Sequence, residues 1–122
     1  AMGMVSETVR LTEADRDRLV ADLVEFAAGR GPVVASVGGE STRQAIRNAS
    51  AAERAGATAV MAIPPALSRS TPEALGGHFR ALLDAISIPV IIQDASGYLG
   101  NAVPLFLQEE LWRECPDRVS FK

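Results

Sequence analysis

The residues with most chemistry to offer stand where apolar runs end. Lys122 follows Val119-Ser120-Phe121, and an ε-amine kept neutral by desolvation at the end of a strand can attack a carbonyl to form a Schiff base. Taken alone, a lysine at such a position is more often a solvent-exposed surface charge, as most lysines are. Gln93-Asp94 follows Val90-Ile91-Ile92 and offers an amide and a carboxylate at another strand end. That pair suits substrate binding, or Asp94 opens a turn. Gly38-Gly39-Glu40-Ser41-Thr42 leaves a third apolar run and is either a tight turn with a helix cap or a cradle of backbone N–H groups for a phosphate or carboxylate. It has neither the lysine of a P-loop nor the GxGxxG spacing. His78 is the single histidine, so a histidine-pair metal site is excluded and the residue reads as a helix-surface or packing group. The lone Cys115 excludes an intrachain disulfide and reads as a structural thiol in a reducing compartment.

The elements that must position these residues alternate between short buried runs and helical spacing. Thr12 with Asp15 is a weak capping box, and Leu19, Val20, Leu23, Val24 and Phe26 recur at helical intervals, predicting a helix over Thr12–Ala28 that Gly29-Arg30-Gly31-Pro32 ends. Strands are predicted at Val33–Val37, Ala59–Ile63, Pro89–Gln93 and Val119–Lys122, each a continuous run of the kind buried on both faces. Between them lie a helix capped by Ser41 or Thr42 with a small apolar face (Ala45, Ile46, Ala49, Ala52, Ala55) and Gly56 at its end, and a helix opened by Thr71-Pro72-Glu73 that turns Leu75, Phe79, Leu82, Leu83 and Ile86 inward. A loop is predicted from Ala95 to Asn101, then a helix over Pro104–Glu114 carrying Leu105, Phe106, Leu107, Leu111 and Trp112. The strand starts are spaced by 26, 31 and 29 residues, the length of a repeated βα unit, so the fold class is α/β with a parallel sheet. Periodicity alone fits both an open doubly wound sheet and part of a (β/α)8 barrel, and in either the chemistry belongs at the C-terminal strand ends.

Composition limits the function classes. The chain has 122 residues, 48% hydrophobic and 22% charged, with a net charge of −3. Such a surface does not attract nucleic-acid backbones or anionic lipid, so no nucleic-acid or membrane partner is expected. No apolar run has the roughly 20 residues of a membrane-spanning helix, and Ala1-Met2-Gly3-Met4 has no signal-peptide pattern. A cytoplasmic protein is the expectation.

Read in order, the strand ends and helix starts resemble the dihydrodipicolinate synthase and N-acetylneuraminate lyase family of class I aldolases. Gly3-Met4-Val5-Ser6-Glu7 and Leu11-Thr12-Glu13-Ala14-Asp15-Arg16 are similar to its Gly-Thr-Thr-Gly-Glu loop and its Leu-[Ser/Thr]-x-x-[Glu/Asp]-Arg helix start. Pro32 to Thr42 is similar to its third strand and Gly-x-x-Ser-Thr turn, and Ala52 to Ala57 to its Ala-x-x-Ala-Gly-Ala pattern. His78-Phe79, Ile88 to Ile92, and Gly97 with Gly100 continue the match. Collinearity makes these modest pieces specific.

The resemblance implies a single partial (β/α)8 domain over residues 1–122, from about the end of strand two to strand six, since a whole barrel needs about 250 residues. It implies that Lys122 is the Schiff-base lysine acting on a pyruvate-like 2-oxo acid or aldehyde, without a metal or other cofactor. Backbone groups at Val5 and Ser6 would hold the substrate carboxylate, Gln93 would bind a substrate oxygen, and Tyr98 replaces the family's arginine for a distal carboxylate. The family's proton-relay threonine and two tyrosines correspond to Met4, Ala66 and Gln93, so the reaction expected is not dihydrodipicolinate synthesis itself. A homo-oligomer, dimer or tetramer, is also implied. A polypeptide ending at Lys122 would set a carboxylate beside the amine and is expected to be inactive in isolation. The alternatives are a non-catalytic binding or assembly module that keeps the fold, and an open-sheet phosphate-binding domain.

Overall fold

A computed structural model describes residues 8–122. Thr12 begins the first helix, α1 (Glu13–Ala27): its Oγ1 accepts the Asp15 N–H at 3.2 Å, the first half of a capping box, and donates to Asp15 Oδ2 at 2.6 Å, so the Asp15 carboxylate meets the Thr12 hydroxyl in place of its backbone N–H. A short 3-10 turn, Thr8–Arg10, precedes it. The chain then follows β1 (Val34–Ser36), α2 (Thr42–Arg54), β2 (Ala59–Ala62), α3 (Pro72–Ala85), β3 (Val90–Ile92), α4 (Ser96–Leu99), α5 (Leu105–Glu114) and β4 (Val119–Phe121). Ser41 caps α2 and Thr71 caps α3, with Pro72 in the first turn where its missing N–H is not needed.

Where the sequence predicts a loop over Ala95–Asn101, the chain winds the single turn α4. Asp94 Oδ1 accepts the Ser96 N–H at 2.9 Å and starts that turn, and Gly100, at φ 70°, ends it with its N–H on Ser96 O at 3.0 Å. Four residues, one of them Gly97, are too few to show a helical period. Two amphipathic readings are also narrower than expected. α5 buries Leu107 and Leu111 but leaves Leu105, Phe106 and Trp112 exposed, because residues four apart share the core-facing stripe and the others do not. On α1 only Val20 is fully buried, with Leu23 partly packed and Phe26 exposed.

Among the described residues the strands form one parallel sheet in the order β1-β2-β3-β4. Right-handed crossovers with a strand order that advances in one direction put every helix on the same face. Accordingly α1 packs on α2, α2 on α3, and α3 on α5. Ala35, Val37, Val60, Ala62, Val90 and Ile92 point into this helical layer and join Phe79, Leu82, Leu107 and Leu111 in one core. The alternate residues Ser36, Ile91 and Ser120 lie on the face without helices and are partly or fully exposed. An open doubly wound sheet reverses its strand order at a switch point and covers both faces. The observed order has no reversal, so the open-sheet alternative is removed and the architecture is part of a (β/α)8 barrel with the bare face as its interior.

The end of α2 shows how local sequence sets the βα register. Gly56, at φ 92°, donates to Glu53 O at 2.9 Å and Ala57 donates to Ala52 O at 3.0 Å, the paired bonds of a Schellman motif, with buried Ala52 and Ala57 closing it. A Cβ at Gly56 would also approach Val24 Cγ1 to 3.2 Å. Gly56→Ala is therefore expected to cost about 1–2 kcal/mol in denaturant unfolding, and an unchanged midpoint would contradict this account.

Candidate active site

The C-terminal ends of the strands converge on one rim, and the backbone ladder continues into it past the regular strands. Val37 N donates to Met61 O at 2.9 Å, Gln93 N to Ala62 O at 2.8 Å, Lys122 N to Ile92 O at 3.0 Å, and Asp94 N to Lys122 O at 2.9 Å. The β3–β4 register pairs Ile92 with Phe121, so the next pair is Gln93 with Lys122. Side chains alternate along strands, and the Phe121 and Ile92 side chains pack toward the helices. Gln93 and Lys122 thus fall on the bare interior face. The two residues from separate strand ends are neighbours, Gln93 half-buried and Lys122 exposed, so the desolvation expected of the amine is not supplied by the described residues.

The same level of the sheet extends to β1. A Cβ built on Gly38 would lie 2.9 Å from Ile63 Cγ1 and 3.7 Å from Ile63 Cδ1, which places Ile63 against Gly38 on that face. The interior row at the rim is Gly38, Ile63, Gln93 and Lys122: an amine beside an amide, then a branched alkyl wall. One layer deeper the register aligns Ser36, Met61, Ile91 and Ser120.

The Gly38–Thr42 segment resolves to a turn. Ser41 Oγ accepts the Gln44 N–H at 3.2 Å, and Gln44 Oε1 accepts the Glu40 N–H at 3.1 Å. A Cβ on Gly39 would meet Gln44 Oε1 at 2.9 Å. With those donors occupied and the space filled by the glutamine, the phosphate cradle is not formed, and the phosphate-binding alternative falls with the open sheet that carried it.

His78 is a packing group. It is buried on α3, its Nδ1 is 3.1 Å from Thr42 Oγ1, its ring meets Phe79 edge to face, and its Nε2 has no partner among the described residues. Burial pushes its pKa below the ordinary 6.5. Because the unfolded chain binds the proton more readily, this group's stabilisation is present above about pH 6.5 and is lost as pH falls toward the folded-state value. Hydrogen bonds from Ser87 to Glu53 and from Arg80 to Glu114 lower those carboxylates' pKa, and their stabilisation is lost in a separate window below the ordinary 4.5. Urea titrations of wild type and His78→Asn between pH 7 and pH 5 should show a slope in the first that is flattened in the second. Parallel slopes would refute the assignment. Cys115 is half-buried against the core and its N–H closes α5 on Leu111 O at 3.0 Å.

Of the other residues read from sequence, Val5, Ser6 and Met4 lie outside the described residues, and Tyr98 is carried by α4 beside the β3 end. Two rim residues escaped the sequence reading. Both carboxylate oxygens of Glu40 accept backbone N–H groups, of Ala66 and Leu67, at 2.9 Å each. Buried Asn101 donates to Pro65 O at 2.7 Å and to Ser68 O, and accepts the Ser70 N–H at 3.3 Å. For Asn101 the signal was the Pro64-Pro65 pair, which leaves carbonyls short of local N–H donors; for Glu40, an acceptor, there was none. Nothing in the sequence says which side chains from other loops would meet that need.

A single-direction parallel sheet, helices on one face, and an amine and an amide at the C-terminal rim of the other define a (β/α)8-barrel protein of the kind whose chemistry sits at the strand ends. The chain belongs to the dihydrodipicolinate synthetase family, whose model matches residues 1–122. The 4-hydroxy-tetrahydrodipicolinate synthase of Methylobacterium radiotolerans is 43% identical over 90 residues, 74% of this chain and 30% of that protein. The crystal structure of dihydrodipicolinate synthase from Aquifex aeolicus superposes with a TM-score of 0.95 at 26% identity, over 100% of this chain and 42% of that one. The chloride-inhibited dihydrodipicolinate synthase from Acinetobacter baumannii, complexed with pyruvate, does so with a TM-score of 0.87 at 28% identity, over 91% of this chain and 38% of that one. The chain spans 30–41% of the length of the curated relatives it matches. Among the described residues no helix is long and apolar enough to cross a membrane.

Proposed function

We propose that the full-length protein is a class I lyase or aldolase in which Lys122 forms a Schiff base with a pyruvate-like 2-oxo acid. The observation that carries this reading is the ladder pairing that brings Lys122 beside Gln93 on the barrel's interior face. The neutral amine adds to the substrate ketone, and loss of water leaves an iminium ion. Its nitrogen accepts the electron pair of a neighbouring bond, so that a C–C bond breaks, or forms through the enamine. Gln93 hydrogen-bonds a substrate oxygen, backbone N–H groups at Val5 and Ser6 hold the carboxylate, and Tyr98 or an ordered water carries the proton. Met4, Ala66 and Gln93 hold no relay hydroxyl, which supports a reaction other than dihydrodipicolinate synthesis. The protein would act as a cytoplasmic homo-oligomer without a cofactor, and the 122-residue polypeptide by itself would be inactive.

Borohydride reduction of the full-length protein with pyruvate and a panel of longer 2-oxo acids, followed by peptide mass mapping, tests this. An adduct on Lys122 supports it, and no adduct or one elsewhere removes it. A second reading, a non-catalytic module that keeps the fold, is favoured by one feature: Ala66 stands in the rim loop with its N–H tied to Glu40 and brings no reactive group. Unchanged ligand binding and cellular effect in Lys122→Ala would select it.

A further inference from the structure

The loop between β2 and α3 opens with Pro64-Pro65, which supply no N–H, and its residues 66–68 bend at the rim beside the interior face. Five of its backbone groups, Pro65 O, Ala66 N, Leu67 N, Ser68 O and Ser70 N, are met by two side chains that belong to neither flanking element. Glu40 reaches in from the β1–α2 turn, where its own N–H is tied to Gln44 Oε1 at 3.1 Å. Asn101 reaches in from the β3–α5 connection, buried, with both ends of its amide engaged. An amide alone fits the Asn101 position, since it must donate to two carbonyls and accept from one N–H. At Glu40 the requirement is for two acceptors facing two adjacent N–H groups, which a carboxylate meets with charge-assisted bonds. Three consecutive rim loops are thereby joined, and the middle one, which follows Ile63, is flanked in the interior row by Gly38 and Gln93.

We propose that Glu40 and Asn101 are positioning residues of the active site: together they hold the β2–α3 loop as the rigid wall of the mouth through which the 2-oxo acid reaches Lys122. This rests on the Schiff-base reading above and assigns to the wall the capture of substrate, leaving the bond-making step to the lysine. Loosening the wall weakens substrate binding and spares chemistry at saturation. The conservative order at Glu40 follows from acceptor count. Aspartate keeps both acceptors on a shorter arm, glutamine keeps one and sets an N–H against an N–H, and alanine keeps none.

The test uses the full-length protein with pyruvate as probe and has two readouts: borohydride trapping at Lys122 against pyruvate concentration, and amide exchange at residues 66, 67 and 70. Glu40→Gln is expected to speed exchange at Ala66 and Leu67 and to raise the half-saturating pyruvate concentration about tenfold, with the maximal trapping rate within about twofold of wild type. Glu40→Asp should recover part of that affinity. Asn101→Asp, which turns a donor into an acceptor opposite two carbonyls, should lose the bonds to Pro65 O and Ser68 O, loosen the loop and behave like Glu40→Gln or worse. Since Asn101 is buried and its variant could fail to fold, the exposed Glu40 series decides. Faster exchange with an unchanged half-saturation would overturn the positioning role, and unchanged exchange would overturn the clamp itself. If wild type gives no Lys122 adduct with any 2-oxo acid, the Schiff-base reading and the proposed role in substrate capture both fall, while the exchange rates still judge the clamp.

Discussion

Lys122→Met in the full-length protein abolishes 2-oxo acid trapping and lowers turnover by on the order of a thousandfold or more, while the fold is kept. The amine is the group on which the whole covalent route depends, and methionine preserves length and flexibility without a nucleophile. Folding is spared because the contacts that hold position 122 are made by its backbone, the N–H to Ile92 O and the carbonyl from Asp94 N. Its side chain is exposed in the described residues. Lys122→Arg should be equally silent, since a guanidinium stays protonated and cannot add to a ketone. Near-UV circular dichroism and unfolding midpoints within error of wild type, combined with loss of the borohydride adduct, are the expected pair of results. Turnover that survives either substitution would remove lysine catalysis from this protein.

The largest effect on stability belongs to Phe79. It is 0% exposed in the middle of α3 and is the largest fully buried side chain among the described residues. The core cluster it belongs to is built from the sheet and from several helices, with Leu75, Leu82, Val60, Ile92 and Leu107 among its members, so a void there has no single mobile element to collapse into it. Phe79→Ala is expected to cost about 3–5 kcal/mol, the transfer free energy of the ring plus a cavity penalty. That is a large part of the total stability of an ordinary domain, about 5–15 kcal/mol. The denaturant midpoint should fall steeply, with little change in slope if the native state is otherwise kept. The loss of the edge-to-face contact with His78 would also disturb the α3 end of the Thr42 hydrogen bond. A decrease below about 1 kcal/mol would mean that Phe79 is not the keystone its burial indicates.

Most of the fold was legible because each βα unit carries its own punctuation. Thr12, Ser41 and Thr71 cap the helices they were expected to cap, and Gly56 ends α2 by a motif that only a positive φ permits. Short apolar runs gave the four strands to within a residue or two of their observed limits. The exception, α4, depends on one aspartate side chain starting a turn that composition reads as a loop. The exposed Leu105 and Trp112 show the same limit on a helix: hydrophobicity is visible in sequence, but which stripe meets the sheet depends on the neighbours.

The site divides along a similar line. Lys122 and Gln93 could be singled out separately because a reactive or polar group at the end of an apolar run is a local feature. Their adjacency could not, because it requires β3 and β4 to be neighbours in a defined register, a pairing made by backbone groups that every residue possesses. Glu40 and Asn101 went unread for a stronger reason. Each serves a loop 26 to 36 residues away, and a carboxylate on a turn has no property in sequence that says whose N–H it will accept. The sequence by itself determined the four strands and the four longer helices, their order, and the family. The tertiary structure decided that the sheet advances in one direction with all its helices on one face, and that the rim loops fasten one another. Those outcomes depend on contacts between distant segments, whose free energy exists only when the chain has closed the loops between them.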